Sequence, residues 1–102
     1  MWLGRKSMEL ARVRGQVVAT IRDPKVPHTS LLLVDFIRAD GVVRREGHVA
    51  ADTLGAGEGE YVLLVRGSGA ALVVGGGKPP IDLSVVAIVD QISALNEVIY
   101  SK

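Results

Sequence analysis

The sequence has no cysteine, and aromatic residues make up only 4% of it: one Trp, two Tyr and one Phe. The first absence excludes disulfides and thiolate metal sites and fits a reducing compartment. The second removes the stacking faces with which small barrels hold single-stranded nucleic acid. Trp2 sits in the leader and Phe36 in an apolar run, which leaves Tyr61 and Tyr100. Histidine is scarce too. His28 and His48 lie twenty residues apart, without the paired spacing that a metal site uses. No excess of one charge exists either: the net charge is +1, which argues against a bulk polyanion as partner. No apolar run approaches the length of a membrane span. The opening MWLGRKS lacks the apolar core of a signal peptide. The expectation is a cytosolic chain with no nucleic-acid or membrane partner and no cofactor.

What is present is apolar. Hydrophobic residues make up 48% of the 102 positions, and the mean hydropathy is +0.31. A chain this short builds one core. So high an apolar content leaves some surface for a partner subunit. Charge is unevenly placed. Residues 1–45 carry nine Lys/Arg and four Asp/Glu; residues 46–102 carry three and seven, so the halves are +5 and −4. The plainer reading is that the signs mix within one folded unit. The sharper one sets them against each other across a head-to-tail contact between subunits.

Period-two alternation dominates. Ala11, Val13, Gly15, Val17, Ala19 and Ile21 share one face of a strand, opposite Arg12, Arg14, Gln16, Thr20 and Arg22. Gly15 in its middle marks a bend or bulge. Pro24 and Pro27 make Asp23 to Ser30 a loop. LLLVDFIR, apolar on both faces apart from Asp35, reads as a buried strand. Ala39-Asp40-Gly41 turns. Val42 to Gly47 reads as an exposed hairpin or a loop, and Val49 to Leu54 as a short strand. EYVLLVRG is β-rich. Ser68 can cap one helical turn through Leu72, after which Gly75–Gly77 and Pro79–Pro80 prevent regular structure. IDLSVVAIVDQI is one β-branched strand, SALN a turn, and EVIY a closing strand. Five or six strands and at most one helical turn favour an all-β closed barrel, which removes exposed edges.

The motifs that could carry chemistry fail in turn. DTLGAGEGEYVLLV, Asp52 to Val65, places glycines at 55, 57 and 59. A dinucleotide fingerprint needs a third glycine where Glu60 stands, and a helix where a strand follows. Glu58 and Glu60 would repel a pyrophosphate. Gly77-Lys78 lacks both the hydroxyl residue and the earlier glycine of a phosphate loop, since Pro79 and Leu72 occupy those places. None of Ser7, Ser30, Ser68, Ser84, Ser93 and Ser101 lies in a nucleophile elbow. Asp52, Glu58, Glu60, Asp82 and Asp90 could supply a carboxylate pair, but acids at strand ends more often cap turns or pair with arginine. An assembly component is a better reading than an enzyme. The alternative is a small oligomeric barrel that binds a ligand or single-stranded nucleic acid.

The central run resembles the EutN/CcmL family of bacterial microcompartment vertex proteins. Asp52, Leu54, Gly55, Ala56, Gly57, Gly59, Glu60, Val62, Leu63, Gly67 and Ser68 match that family's pattern of Asp-x-aliphatic-Gly-Ala-Gly-x-Gly-Glu-x-Val-Leu followed by Gly-Ser. ARVRGQVVATIRDP, LLLVDFI, PIDLSVVAIVDQI and EVIYSK are similar to its other strands. Gly69-Ala70-Ala71 departs from the family's usual Ser-Ala-Arg. The resemblance covers residues 8–102 as one domain and leaves Met1–Ser7 as a flexible extension. It implies a five-stranded, OB-like barrel forming a cyclic homopentamer. Such a pentamer caps the vertices of a polyhedral shell beside hexameric and trimeric shell proteins. Asp52, Gly55, Ala56, Gly57, Gly59, Glu60, Gly67 and Ser68 are then candidates for the subunit contact or a loop at the fivefold axis.

Overall fold

The structure is a computed structural model, and it describes residues 8–20, 29–66, 83–94 and 96–102. The described residues include seven strands: β1 (Met8–Val17), β2 (Ser30–Ile37), β3 (Val43–Asp52), β4 (Tyr61–Arg66), β5 (Leu83–Val89), β6 (Gln91–Ala94) and β7 (Glu97–Ser101). Five of them close into a barrel in the order β1-β2-β3-β5-β4, and β6 and β7 form a separate two-stranded sheet. β1 closes on β4 antiparallel, while β3 meets β5 in parallel at Ala51 and Ser84. This is the five-stranded OB-like arrangement. Among the described residues there is no helix.

The barrel interior follows from the period-two pattern. Ala11 and Val13 of β1, Leu32, Val34 and Phe36 of β2, Val62 and Leu64 of β4, and Leu83 and Val85 of β5 point inward and form one core with Ala50 of β3. Each fully buried Val, Leu or Phe contributes about 1.5–3 kcal/mol of hydrophobic stabilisation. The opposite face of β2 is covered as well: Leu31, Asp35 and Ile37 are all buried. Asp35 is tolerated there because its carboxylate accepts the Gly47 amide at 3.0 Å and pairs with Arg14 Nε at 3.1 Å.

Irregularities fall where the sequence marks them. The β1–β2 register slips between Val13 and Gly15, so Arg14 is an extra residue on β1. That is the expected bulge. The β2–β3 register slips twice, on either side of Phe36. Gly47 adopts φ +73° beside one of these slips, a backbone state that glycine reaches without a Cβ clash.

Three strand boundaries differ from the sequence reading. β1 ends at Val17 rather than running to Asp23, although only Val18 to Thr20 of that extra stretch is described. Val43 to Asp52 is one strand, with no loop through Arg44 to Gly47. Its polar middle misleads because β2 supplies the hydrogen-bond ladder whatever those side chains are. The β-branched run breaks at Asp90 into β5 and β6, since β6 leaves the barrel to pair with β7. Asn96 takes φ +64° in the tight turn of that hairpin. The hairpin returns to the barrel through Tyr100, which stacks on Tyr61 at 3.8 Å and 8°. The Met1–Ser7 extension, the proline loop at 23–28, the turn from Ser68 to Leu72 and Gly75–Gly77 lie outside the described residues.

Candidate functional site

The glycine corner joins β3 to β4, and Asp52 organises it. Asp52 ends β3 with a side chain only 3% exposed. Its Oδ1 accepts the Leu54 amide at 2.9 Å, and its Oδ2 accepts the amides of Gly55 at 3.1 Å and Ala56 at 2.9 Å. Successive amides converging on one anion are the arrangement by which loops hold phosphate. Here the anion is the chain's own carboxylate, so the corner is already filled.

The rest of the loop closes in the same way. Gly57 donates its amide to Glu60 Oε1 at 2.6 Å. Gly59 donates to the Val13 carbonyl at 2.8 Å and Glu60 to the Gly57 carbonyl at 3.1 Å. The three glycines are therefore not equivalent. Gly55 and Gly59 have φ of +82° and +88°, where an L side chain is strained, whereas Gly57 does not. A Cβ on Gly57 would meet the Glu60 carboxyl at ordinary distances, 3.6 Å to Oε1 and 4.0 Å to Cδ. The corner needs glycine at 55 and 59 for its own path; within the protomer nothing requires it at 57.

Glu60 also ties the corner to the C-terminus. Its Oε2 lies 2.8 Å from Lys102 Nζ, and the Lys102 amide donates to the Asp90 carbonyl at 2.8 Å. The Gly57 amide, and then Lys102, hold the Glu60 carboxyl below its usual range. The hydrogen bond to Glu60 raises the Lys102 ammonium correspondingly.

An open depression of about 340 Å³ lies beside the corner, bordered by Val13, Gln16, Ser30, Asp52, Ala56 and Glu58. Two of the acids singled out in the sequence border it, the buried Asp52 and the exposed Glu58, and Asp52 is already committed to three amides. Among the described residues no cluster of three His, Cys, Asp or Glu could hold a metal. His48 instead packs edge-on to Phe36, with ring centroids 4.6 Å apart. Phe36 is fully buried, so it offers no stacking face to a base. The structure brings Asp52, Gly55, Ala56, Gly57, Gly59 and Glu60 together in one loop. Gly67 and Ser68 lie outside the described residues.

A second group of functional character is absent from the sequence reading. Glu9 gathers Arg44, Arg45 and Arg66 at the barrel end where β1 starts and β4 finishes. The adjacent Arg44-Arg45 pair inside a strand was the available signal. It was obscured because consecutive strand residues normally face opposite ways.

These features define a small β-barrel whose glycine loop is braced by its own carboxylates. The family model described as "Ethanolamine utilisation protein EutN/carboxysome" matches residues 8–90, and the chain belongs to this family. A carboxysome shell vertex protein CcmL from Thermosynechococcus vestitus is 41% identical over 95 residues, covering 93% of this chain and 96% of the relative. A microcompartment shell vertex protein EutN from Salmonella typhimurium is 43% identical, with coverage of 93% and 96%. Among solved structures, an ethanolamine utilization protein EutN superposes with a TM-score of 0.85 at 41% identity, over 92% of this chain and 98% of that one. The pentameric microcompartment shell protein GrpN from Rhodospirillum rubrum gives 0.72 at 34% identity, over 86% and 99%.

Proposed function

We propose that this protein is a non-enzymatic shell vertex protein, located in the shell of a microcompartment in the bacterial cytoplasm. It assembles as a homopentamer and closes a polyhedral shell around enclosed enzymes by seating against hexameric and trimeric shell proteins. The observation that carries this reading is end-to-end likeness to shell vertex proteins, over 93% of this chain and 96% of two relatives.

The geometry supports it. A ring needs two different patches on each subunit, one meeting the other on the neighbour. Met8, Val18, Val42, Val49, Leu54, Val98 and Ile99 are apolar and exposed in the protomer, a reserve of surface for such contacts. Asp52, Gly55, Ala56, Gly57, Gly59 and Glu60 form the candidate subunit contact or axial loop. The amides of Gly55, Ala56, Gly57, Gly59 and Glu60 have acceptors within the protomer, so a neighbour can press against the corner without stranding them. Gly57 is the position where a missing side chain serves a neighbour rather than the loop itself.

Native mass spectrometry of the purified full chain tests the assembly. A particle of five times the 10.8 kDa subunit mass is expected. Gly57→Val should break that particle into β-rich monomers whose circular dichroism is unchanged. A parent that stays monomeric at every concentration, or turns over a substrate by itself, overturns the reading.

A further inference from the structure

The β6–β7 hairpin is the described part of the fold with the fewest means of standing alone. Its strands are four and five residues long and, among the described residues, pair only with each other. A two-stranded hairpin of that size is marginal in water without further packing. Its ties to the barrel lie at its base. Tyr100 stacks on Tyr61 at 3.8 Å, the Lys102 amide donates to the Asp90 carbonyl at 2.8 Å, and Lys102 Nζ meets Glu60 Oε2 at 2.8 Å. Farther out, Val98 and Ile99 are 58% and 41% exposed. The register shifts between Ile92, which faces Tyr100, and Ser93, which faces Val98, so Ile99 is an extra residue on β7. Such a bulge bends the strand and re-aims a side chain. Two adjacent β-branched residues are left in solvent, beside a strand edge that is unpaired among the described residues.

A concave counterpart lies at the same end of the barrel. The depression beside the glycine corner is bordered by β1, β2, the end of β3 and the corner itself. Val13 and Leu32, both buried, give it an apolar floor, and the exposed Gln16 and Ser30 bring an amide and a hydroxyl to its rim. An apolar floor with hydrogen-bonding groups around it suits an extended strand, which presents side chains and unpaired main-chain groups together. Gly57, which the path of its own loop does not require to be glycine, borders the same depression. The hairpin and the depression flank the corner on different sides. The hairpin is fastened at Glu60 and Tyr61, where β4 starts, whereas the depression runs from Gly55, Ala56 and Gly57 toward β1 and β2. Two unlike patches on either side of one loop are what a head-to-tail ring needs.

We propose that the β6–β7 hairpin is an arm that seats Val98 and Ile99 in the depression beside the glycine corner of the next copy of this chain. This contact rests on the pentamer reading and supplies its two patches: β7 on one copy, and Val13, Gln16, Ser30, Leu32 and Gly57 on the other.

The intact chain tests this by disulfide crosslinking, since it has no cysteine of its own. On mild oxidation, Val98→Cys with Gln16→Cys on one chain should give covalent multimers of up to five subunits on a non-reducing gel, which reductant returns to single chains. Either substitution alone should give nothing larger than a dimer. Ile99→Cys with Ser30→Cys repeats the measurement at a second pair, so that one poorly oriented bond does not decide it. If neither pair exceeds the dimers of the single variants while native mass spectrometry shows the parent to be pentameric, the docking is overturned and the pentamer reading stands. A parent that is monomeric at every concentration overturns both. Val98→Lys with Ile99→Lys alters positions that the protomer leaves exposed, so its circular dichroism should match the parent while assembly weakens roughly thirtyfold or more. A particle in that variant as resistant to dilution as the parent's also overturns the docking.

Discussion

The two ends of this barrel satisfy their carboxylates in different ways. At the glycine corner one carboxylate, Asp52, accepts three backbone amides, and a second, Glu60, accepts the next amide and a lysine. Both carboxylates are held by donors of the same protomer. At the arginine end one carboxylate, Glu9, receives three guanidiniums. The same chemistry, N–H donors around a carboxylate, gives a corner built from backbone amides in one place and a cluster of guanidinium side chains in the other. A glycine-rich loop is thus not by itself an anion site; what matters is whether the chain already supplies the anion.

The comparison can be broken most forcefully at Asp52. Asp52→Ala removes the acceptor of three amides in a turn that water partly reaches, and a loss of roughly 2–4 kcal/mol is expected from urea unfolding. A loss below about 1 kcal/mol would mean that the corner does not depend on its internal anion. The next contrast lies inside the corner. Gly59→Ala forces an L residue to φ +88° and should cost about 1–2 kcal/mol. Gly57→Ala should leave the unfolding midpoint of the isolated fold unchanged or slightly raised. Equal losses at both positions would remove the distinction between a glycine kept for the backbone and one kept for a neighbour.

The smallest effect is at Glu9. Burial, the largest single influence, pushes its carboxyl upward. The hydrogen bond and charge of Arg66, the charge of Arg45 and the hydrogen bond of Arg44 together outweigh it, so the group lies below its ordinary value of 4.5. Its ionised form is therefore favoured by folding. That contribution is complete above about pH 4.5, the unfolded value, and is lost as pH falls through the lower folded value. The stability difference between the parent and Glu9→Gln should accordingly be constant at neutral pH and shrink in acid. A difference that grew on acidification would show that the arginines do not hold Glu9 ionised.

Much of this was legible in the residues. Alternation in β1, the two-sided apolar run of β2 and the Gly15 bulge follow from period and residue type. The glycine corner was recognisable as a corner because a strand follows Glu60. Asp52 and Glu60 were visible as part of a motif, but their roles as acceptors were not, since three amides converging on one carboxylate is a matter of loop path. The strand through Arg44 to Gly47 was obscured because its polar side chains carry no apolar signal. Glu9, the Arg44-Arg45 pair and Arg66 lie far apart in sequence, and no local pattern joins the three.

The sequence by itself determined an all-β chain, the family, and the absence of thiol chemistry, because these depend on composition, on a period of two and on contiguous motifs. Tertiary structure alone decided that the glycine loop is filled by its own carboxylate while the arginines at the far end share a single one. Barrel closure and two register slips bring together groups that the chain keeps apart, and contacts of that kind are set by the ladder between strands rather than by neighbours in sequence.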